Sequence, residues 1–167
     1  GANKRMLYHY FGNKEALFLA VLERAYAEIR KAERALQLHD LAPREAMERL
    51  VRFTFGYFIA APHFVPLLNS ENLHRARHLR RSKQIREMHS AMIDMIRDVL
   101  RRGVASGAFR DGVDPMQLFI SMTGVGYFYF SNIHTLSTIF GRDLTANEAL
   151  AEREAHVVDV ILGYLRP

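Results

Sequence analysis

Leu7-Tyr8-His9-Tyr10-Phe11-Gly12-Asn13-Lys14-Glu15-Ala16-Leu17 is the stretch that organises the rest of the chain. Its spacing predicts a short helix over roughly residues 4–11, with Leu7 and Phe11 on one inward face. Asn13 is a natural N-cap, because its side-chain oxygen can take an early backbone N–H. Behind it runs an amphipathic stretch to about Leu38. Leu17, Val21, Tyr26, Ile29, Ala32 and Leu36 recur near helical spacing, and Glu23, Arg24, Glu28, Arg30, Lys31 and Arg34 are expected to face outward. Such a helix would be about 38 Å long, enough to join two parts of a molecule.

Outward from that stretch, nearly everything reads as helix. Pro43 suits the first turn of a helix running to about Ala60. Pro62 and Pro66 bracket a break, and 69–81 reads as one or two short helices with a basic surface. In 83–102, Ile85, Met88, Met92, Ile96 and Val99 form one stripe, and Gly103 and Gly107 are expected to end the helix. Asp114-Pro115 is a cap followed by proline, opening a helix apolar on all sides that Gly141 closes. Thr145 and Glu148 have the spacing of a capping box for a last helix to about Leu165.

The chain has 167 residues, enough to bury a real core, and its 49% hydrophobic and 25% charged content is that of a folded domain. The formal charge of +5 favours an acidic partner only mildly. Without cysteine, no disulfide, zinc–cysteine site or thiol nucleophile is possible, which suits a cytoplasmic protein. The N-terminus lacks the apolar core of a signal peptide, and the longest uncharged apolar run, Leu118 to Phe130, is too short for a bilayer of about 30 Å. No membrane association is expected.

The opening stretch resembles the second half of the helix-turn-helix of the tetracycline-repressor (TetR) family. The resemblance rests on a Gly-containing turn, a recognition helix ending Leu7-Tyr8-His9-Tyr10-Phe11, and Gly12-Asn13-Lys14-Glu15-Ala16-Leu17 opening a linking helix. It implies an all-α fold: a TetR-like helical ligand-binding and dimerisation domain with a partial N-terminal helix-turn-helix. Residues 1–13 would be the turn and recognition helix, and 14–167 the linking helix with the ligand-binding and dimerisation domain. Two further helices are expected before Gly1 in the complete DNA-binding unit. The implied function is a DNA-binding transcriptional repressor controlled by a small-molecule effector, working as a homodimer on double-stranded operator DNA.

In such proteins the start of the recognition helix reaches base edges, where Arg and Lys pair with guanine and Asn with adenine. The candidate DNA contacts are Asn3, Lys4, Arg5, Tyr8, His9 and Tyr10, with Lys14 on backbone phosphate. An aromatic and Met-rich set supplies the candidate effector pocket: Phe55, Tyr57, Phe58, Phe64, Met88 and Met92, with polar candidates Asn69, Asn72, His89, Thr123, Tyr127 and Asn132. The same residues would also serve as plain core. Leu150, Val157, Val158, Ile161, Leu162 and Leu165 make a stripe wider than one neighbouring helix needs, and are expected in a dimer seam.

No cofactor or metal is expected. His74 and His78 share a helical face with Glu71 a turn earlier, but Arg75 and Arg77 beside them oppose a cation. Neither a nucleophile elbow nor a phosphate loop occurs, so the chain does not read as an enzyme. The residues alone leave open a helical dimerisation module without ligand, or a small helical enzyme whose carboxylates meet only in space.

Overall fold

The computed structural model describes residues 9–167, and among these there is no strand. Helix α1 (Lys14–Arg34) opens on Asn13, whose Oδ1 accepts the Ala16 N–H at 2.9 Å. Glu15 in its first turn and Lys31 and Arg34 in its last complement the helix dipole. The helix stops four residues short of the expected Leu38. Gln37 takes a left-handed φ of +50° and leads into a single 3-10 turn, Leu38–Asp40. The Arg102 guanidinium donates to Leu38 O at 2.9 Å and Leu41 O at 2.8 Å, holding that turn and the residue after it in place.

Helix α2 (Pro43–Ala60) has proline in its first turn. It is the central element, touching α1, α4, α5 and α7. Helix α3 (Phe64–Leu73) leaves it at 88°, and a loop with a 3-10 turn at Leu79–Arg81 leads to α4 (Lys83–Ala105). Ser82 caps α4, its Oγ accepting the Ile85 N–H at 3.2 Å. Helix α4 ends beyond Gly103. Gly103 lies inside it because the Phe109 ring packs where a Cβ would stand, 1.9 Å from the nearest ring atom.

The expected helix from Pro115 to Gly141 is two helices, α5 (Pro115–Ser131) and α6 (Ile133–Phe140). The break is at Asn132, with φ −118° and ψ 11°, whose side-chain amide donates to Phe128 O at 2.9 Å. Helix α7 (Asn147–Tyr164) starts without the expected capping box. The Thr145 hydroxyl instead donates to Asp143 Oδ1 at 2.6 Å, which also accepts the Thr145 N–H at 2.9 Å. A side-chain-to-backbone turn won over the cap because Asp143 is closer in sequence than the helix N–H groups. Among the described residues no single helix is long and apolar enough to cross a membrane.

Two apolar clusters result. The larger joins α2, α4, α5 and α7 through Met47, Leu50, Phe55, Ile96, Val99, Leu118, Met122 and Val157. The smaller joins α1, α3 and the ends of α2 and α4 through Leu22, Tyr26, Ile29, Phe58, Phe64 and Ile85. The dimer-seam expectation for α7 is corrected at this point. Val157, Val158, Ile161, Leu162 and Leu165 are at most 4% exposed, inside the chain's own core, and Leu150 packs at its edge. The stripe is wide because α7 lies against both α2 and α5 of the same chain.

Candidate functional site

Helix α1 carries a charged pair on its buried stripe. Leu22, Tyr26, Ile29 and Glu33 follow one another at helical spacing, and Arg30 sits beside them. Arg30 is 5% exposed and Glu33 2%, which corrects the expectation that Arg30 faces outward, while Val21 is exposed instead. Arg30 Nε lies 3.0 Å from Glu33 Oε2, but the N–H is not aligned on that oxygen. Among the described residues Arg30 Nε and Nη1 and Glu33 Oε2 find no hydrogen-bond partner. Burial pushes the Glu33 carboxyl up to about 7, against the opposing pull of Arg30 and Arg34. Burial likewise lowers Arg30, with Glu33 acting the other way.

Aromatic rings surround this pair. The Arg30 guanidinium lies 5.8 Å over the Phe119 ring of α5. From Phe119 the rings continue to His89 (6.2 Å), Tyr26 (5.0 Å), Phe64 (5.7 Å) and Tyr57 (5.6 Å between centroids). Burial pushes the His89 imidazole below its usual value, and Arg30 adds to that against the bond to Ile85. Its Nδ1 is 3.0 Å from Ile85 O, and a carbonyl only accepts, so Nδ1 carries the proton. One turn beyond Phe119, Thr123 buries a hydroxyl that finds no partner among the described residues. Further along the same region, the Tyr127 hydroxyl donates to Asn69 Oδ1 and the Asn69 amide to Ser131 Oγ at 3.3 Å, joining α3 to α5.

A second construction holds the opposite end of α1. Glu71 of α3, 2% exposed, accepts the His78 N–H at 2.9 Å, the Leu79 N–H at 3.0 Å and His78 Nδ1 at 2.6 Å. Burial pushes the Glu71 carboxyl up, but these hydrogen bonds outweigh it and hold it below the usual range. They pin a loop in which Arg75 and Ala76 take left-handed φ values of +53° and +57°, a cost of about 1 kcal/mol or more each. From that loop Arg77 reaches Glu15 at 2.8 Å and Arg81 at 3.6 Å, while the His78 ring lies tilted at 54° against Phe18 with centroids 4.7 Å apart. The loop therefore grips the first turns of the linking helix. The His74 Nδ1 lies 2.7 Å from Ser70 O one turn back on α3.

The sequence expectations divide. Asn3, Lys4, Arg5 and Tyr8 lie outside the described residues; His9, Tyr10 and Lys14 are exposed. Tyr57, Met88, His89, Thr123, Tyr127 and Asn69 lie half-buried around the polar interior. Phe55 and Met92 are corrected to the larger core, and Phe58 and Phe64 are buried in the smaller one. Asn72 and Asn132 are corrected as well, because the Asn72 amide bonds Leu68 O within α3 and the Asn132 amide bonds Phe128 O at the end of α5. Arg30, Glu33, Tyr26, Phe119 and Glu71 were missed. A charge at 33 on the 22-26-29 stripe was the visible signal for the first two. A separate open groove of about 510 Å³, lined by Phe128, Leu136, Phe140, Arg142 and His156 among others, lies on the outer face, away from this interior.

Residues 43–161 match the family described as "Tetracyclin repressor-like, C-terminal domain", and residues 1–21 match "Bacterial regulatory proteins, tetR family". The chain is 38% identical over 165 residues to the HTH-type transcriptional repressor NicS of Pseudomonas putida, covering 99% of this chain and 78% of that protein. In fold it resembles the crystal structure of a TetR transcriptional regulator from Streptomyces coelicolor. The TM-score there is 0.58 at 20% identity, over 100% of this chain and 82% of the other. With the matched C-terminal region spanning most of the chain and the linking helix leading into it, the protein belongs to the TetR family of bacterial transcriptional regulators.

Proposed function

We propose that residues 1–13 complete the recognition helix of a helix-turn-helix and that 14–167 sense an effector and dimerise, so that a small molecule controls repression at operator DNA. One observation carries the reading. Helix α1 has its first turn gripped by the 77–81 loop and, about 22 Å further on, a buried charged pair in which Arg30 Nε and Nη1 and Glu33 Oε2 have no hydrogen-bond partner among the described residues. An effector entering among α1, α2, α4 and α5 would favour one arrangement of α1 over another, and α1 would reset the spacing of the two recognition helices. The naming of the Pseudomonas relative as a repressor supports repression. This activity requires no cofactor and is assigned to the cytoplasm, where operator DNA is found.

Base contact is assigned to Asn3, Lys4, Arg5, Tyr8, His9 and Tyr10, and phosphate contact to Lys14. In the full-length protein, Arg5→Ala and Tyr8→Ala should each weaken operator binding by roughly 10- to 100-fold and leave the dimer intact. Fluorescence anisotropy with labelled operator measures this. Unchanged affinity in both variants would remove the recognition-helix assignment.

The second copy is assigned to the outer faces of α5 and α7. Met116, Ile120, Gly124 and Phe128 recur every fourth residue on the exposed side of α5. On α7, Ala151, Ala155, Val160 and Gly163 are exposed, and both Gly124 and Gly163 have open space where a Cβ would stand, which allows close approach. Two such pairs related by a two-fold axis make a four-helix bundle. Ile120→Asp, 54% exposed in the single chain, should fold and sediment as a monomer. A variant that remains dimeric at micromolar concentration would move the interface elsewhere.

A further inference from the structure

We infer that Arg30 is the anchor for the effector and that the effector is a small organic carboxylate; this rests on the effector reading above. The guanidinium is 5% exposed, yet Nε and Nη1 have no hydrogen-bond partner among the described residues. A buried guanidinium with idle N–H groups is costly, and a carboxylate matches its planar fork with two parallel bonds. Glu33 Oε2 pairs in charge at 3.0 Å but is out of line with the Nε–H, so Nε and Nη1 keep their hydrogen-bonding capacity for a ligand. With Arg34 exposed and the His89 imidazole pushed below its usual value by burial, the buried guanidinium here is that of Arg30. The chain of rings from Phe119 through His89 and Tyr26 to Phe64 and Tyr57 supplies apolar walls for the body of an acid. The unpartnered Thr123 hydroxyl, one turn from Phe119, is a further donor on the same side of α5.

Binding should take up a proton. The groups acting on Glu33 are Arg30 and Arg34 of its own helix, and the Tyr57 phenol of α2 lies within its field. Glu33 titrates at about 7, so near neutrality it is already partly protonated. An arriving anion opposes its negative form and completes the protonation. Well below pH 7 the acid binds with no proton exchange. Above it, Glu33 must be protonated at the moment of binding, and the apparent Kd should rise about tenfold per pH unit.

The test compares shape-matched pairs on the full-length protein: benzoate with benzamide, and hexanoate with hexanamide. At 100-fold excess over Kd, at least one acid should raise Tm by about 5–10 °C while its amide does little. Titration calorimetry of that acid at pH 8 in two buffers of different ionisation heat should show proton uptake, absent in Glu33→Gln. Arg30→Met should lose acid binding, and Arg30→Lys should weaken it. If Arg30→Met does not fold, the acid–amide contrast on the unmodified protein still decides. Equal shifts from acid and amide, or undiminished acid binding in Arg30→Met, would overturn the carboxylate assignment and leave the effector reading standing. Failure of all four probes at millimolar concentration also overturns the assignment. The effector reading fails on a different result, namely no compound of any charge releasing the operator in a gel shift.

Discussion

Glu71→Ala should lower stability by about 3–5 kcal/mol, a fall in Tm of roughly 6–20 °C. The side chain is 2% exposed and takes hydrogen bonds from two backbone N–H groups and one imidazole. Truncation leaves those donors unpaired where water cannot easily replace the carboxylate, and each such loss costs about 1–3 kcal/mol. It also removes what holds Arg75 and Ala76 in left-handed conformation. The ion pairs from Arg77 and Arg81 to Glu15 cannot compensate, since all three side chains are about half exposed or more and such pairs contribute about 0–1 kcal/mol.

Glu71→Gln, which keeps one acceptor oxygen, should cost less. The pH dependence has a definite sign. The Glu71 carboxyl is held below its usual range, so its contribution is complete at neutral pH and is lost as pH falls through that depressed value. Thermal melts at pH 7 and pH 4 should show the unmodified protein losing more stability on acidification than Glu71→Gln does. A Glu71→Ala protein within about 1 kcal/mol of the unmodified one would show that the loop is held by other means.

Phe55→Ala should cost about 3–5 kcal/mol and produce a chain that is partly unfolded at 37 °C. The ring is 1% exposed, 4.9 Å from Phe130 and 6.2 Å from Tyr129, in the place where α2 meets α5. Gly126 allows that meeting: a Cβ there would stand 3.3 Å from the Phe58 ring and 3.7 Å from that of Phe55. Chemical denaturation reads the loss directly. The same experiment separates core from pocket. If Phe55 faced an effector, its truncation would leave stability nearly intact and change which compounds bind. Retained stability with altered ligand response would therefore return Phe55 to the pocket.

How much was visible beforehand differs by element. The Asn13 cap and the Asp114-Pro115 start could be read because capping depends on residues within one turn of each other. The Thr145 capping box failed for a related reason. Two local schemes competed for that turn, and the nearby Asp143 carboxylate took the Thr145 hydroxyl and N–H. The break at Asn132 falls where the apolar run ends in Ser131-Asn132, but apolar residues return at Ile133 and Leu136, and hydrophobicity does not mark where a helix bends.

The sequence by itself determined the helical fold and the family, because both rest on short-range spacing: the Leu7-to-Leu17 stretch and the periodicity of each helix. Only the tertiary structure decided which face of each helix is inside. Val157, Val158, Ile161, Leu162 and Leu165 look like a seam for a partner until α2 and α5 are seen to cover them within one chain. Arg30 looks like a solvated charge until α1 is seen packed against its neighbours with Arg30 inside. Glu71 and His78 look like possible ion ligands until the loop folds back onto its own carboxylate. The physical reason is common to all three. Burial and hydrogen-bond satisfaction depend on what a distant segment places beside a residue, whereas helix periodicity states only which residues share a face.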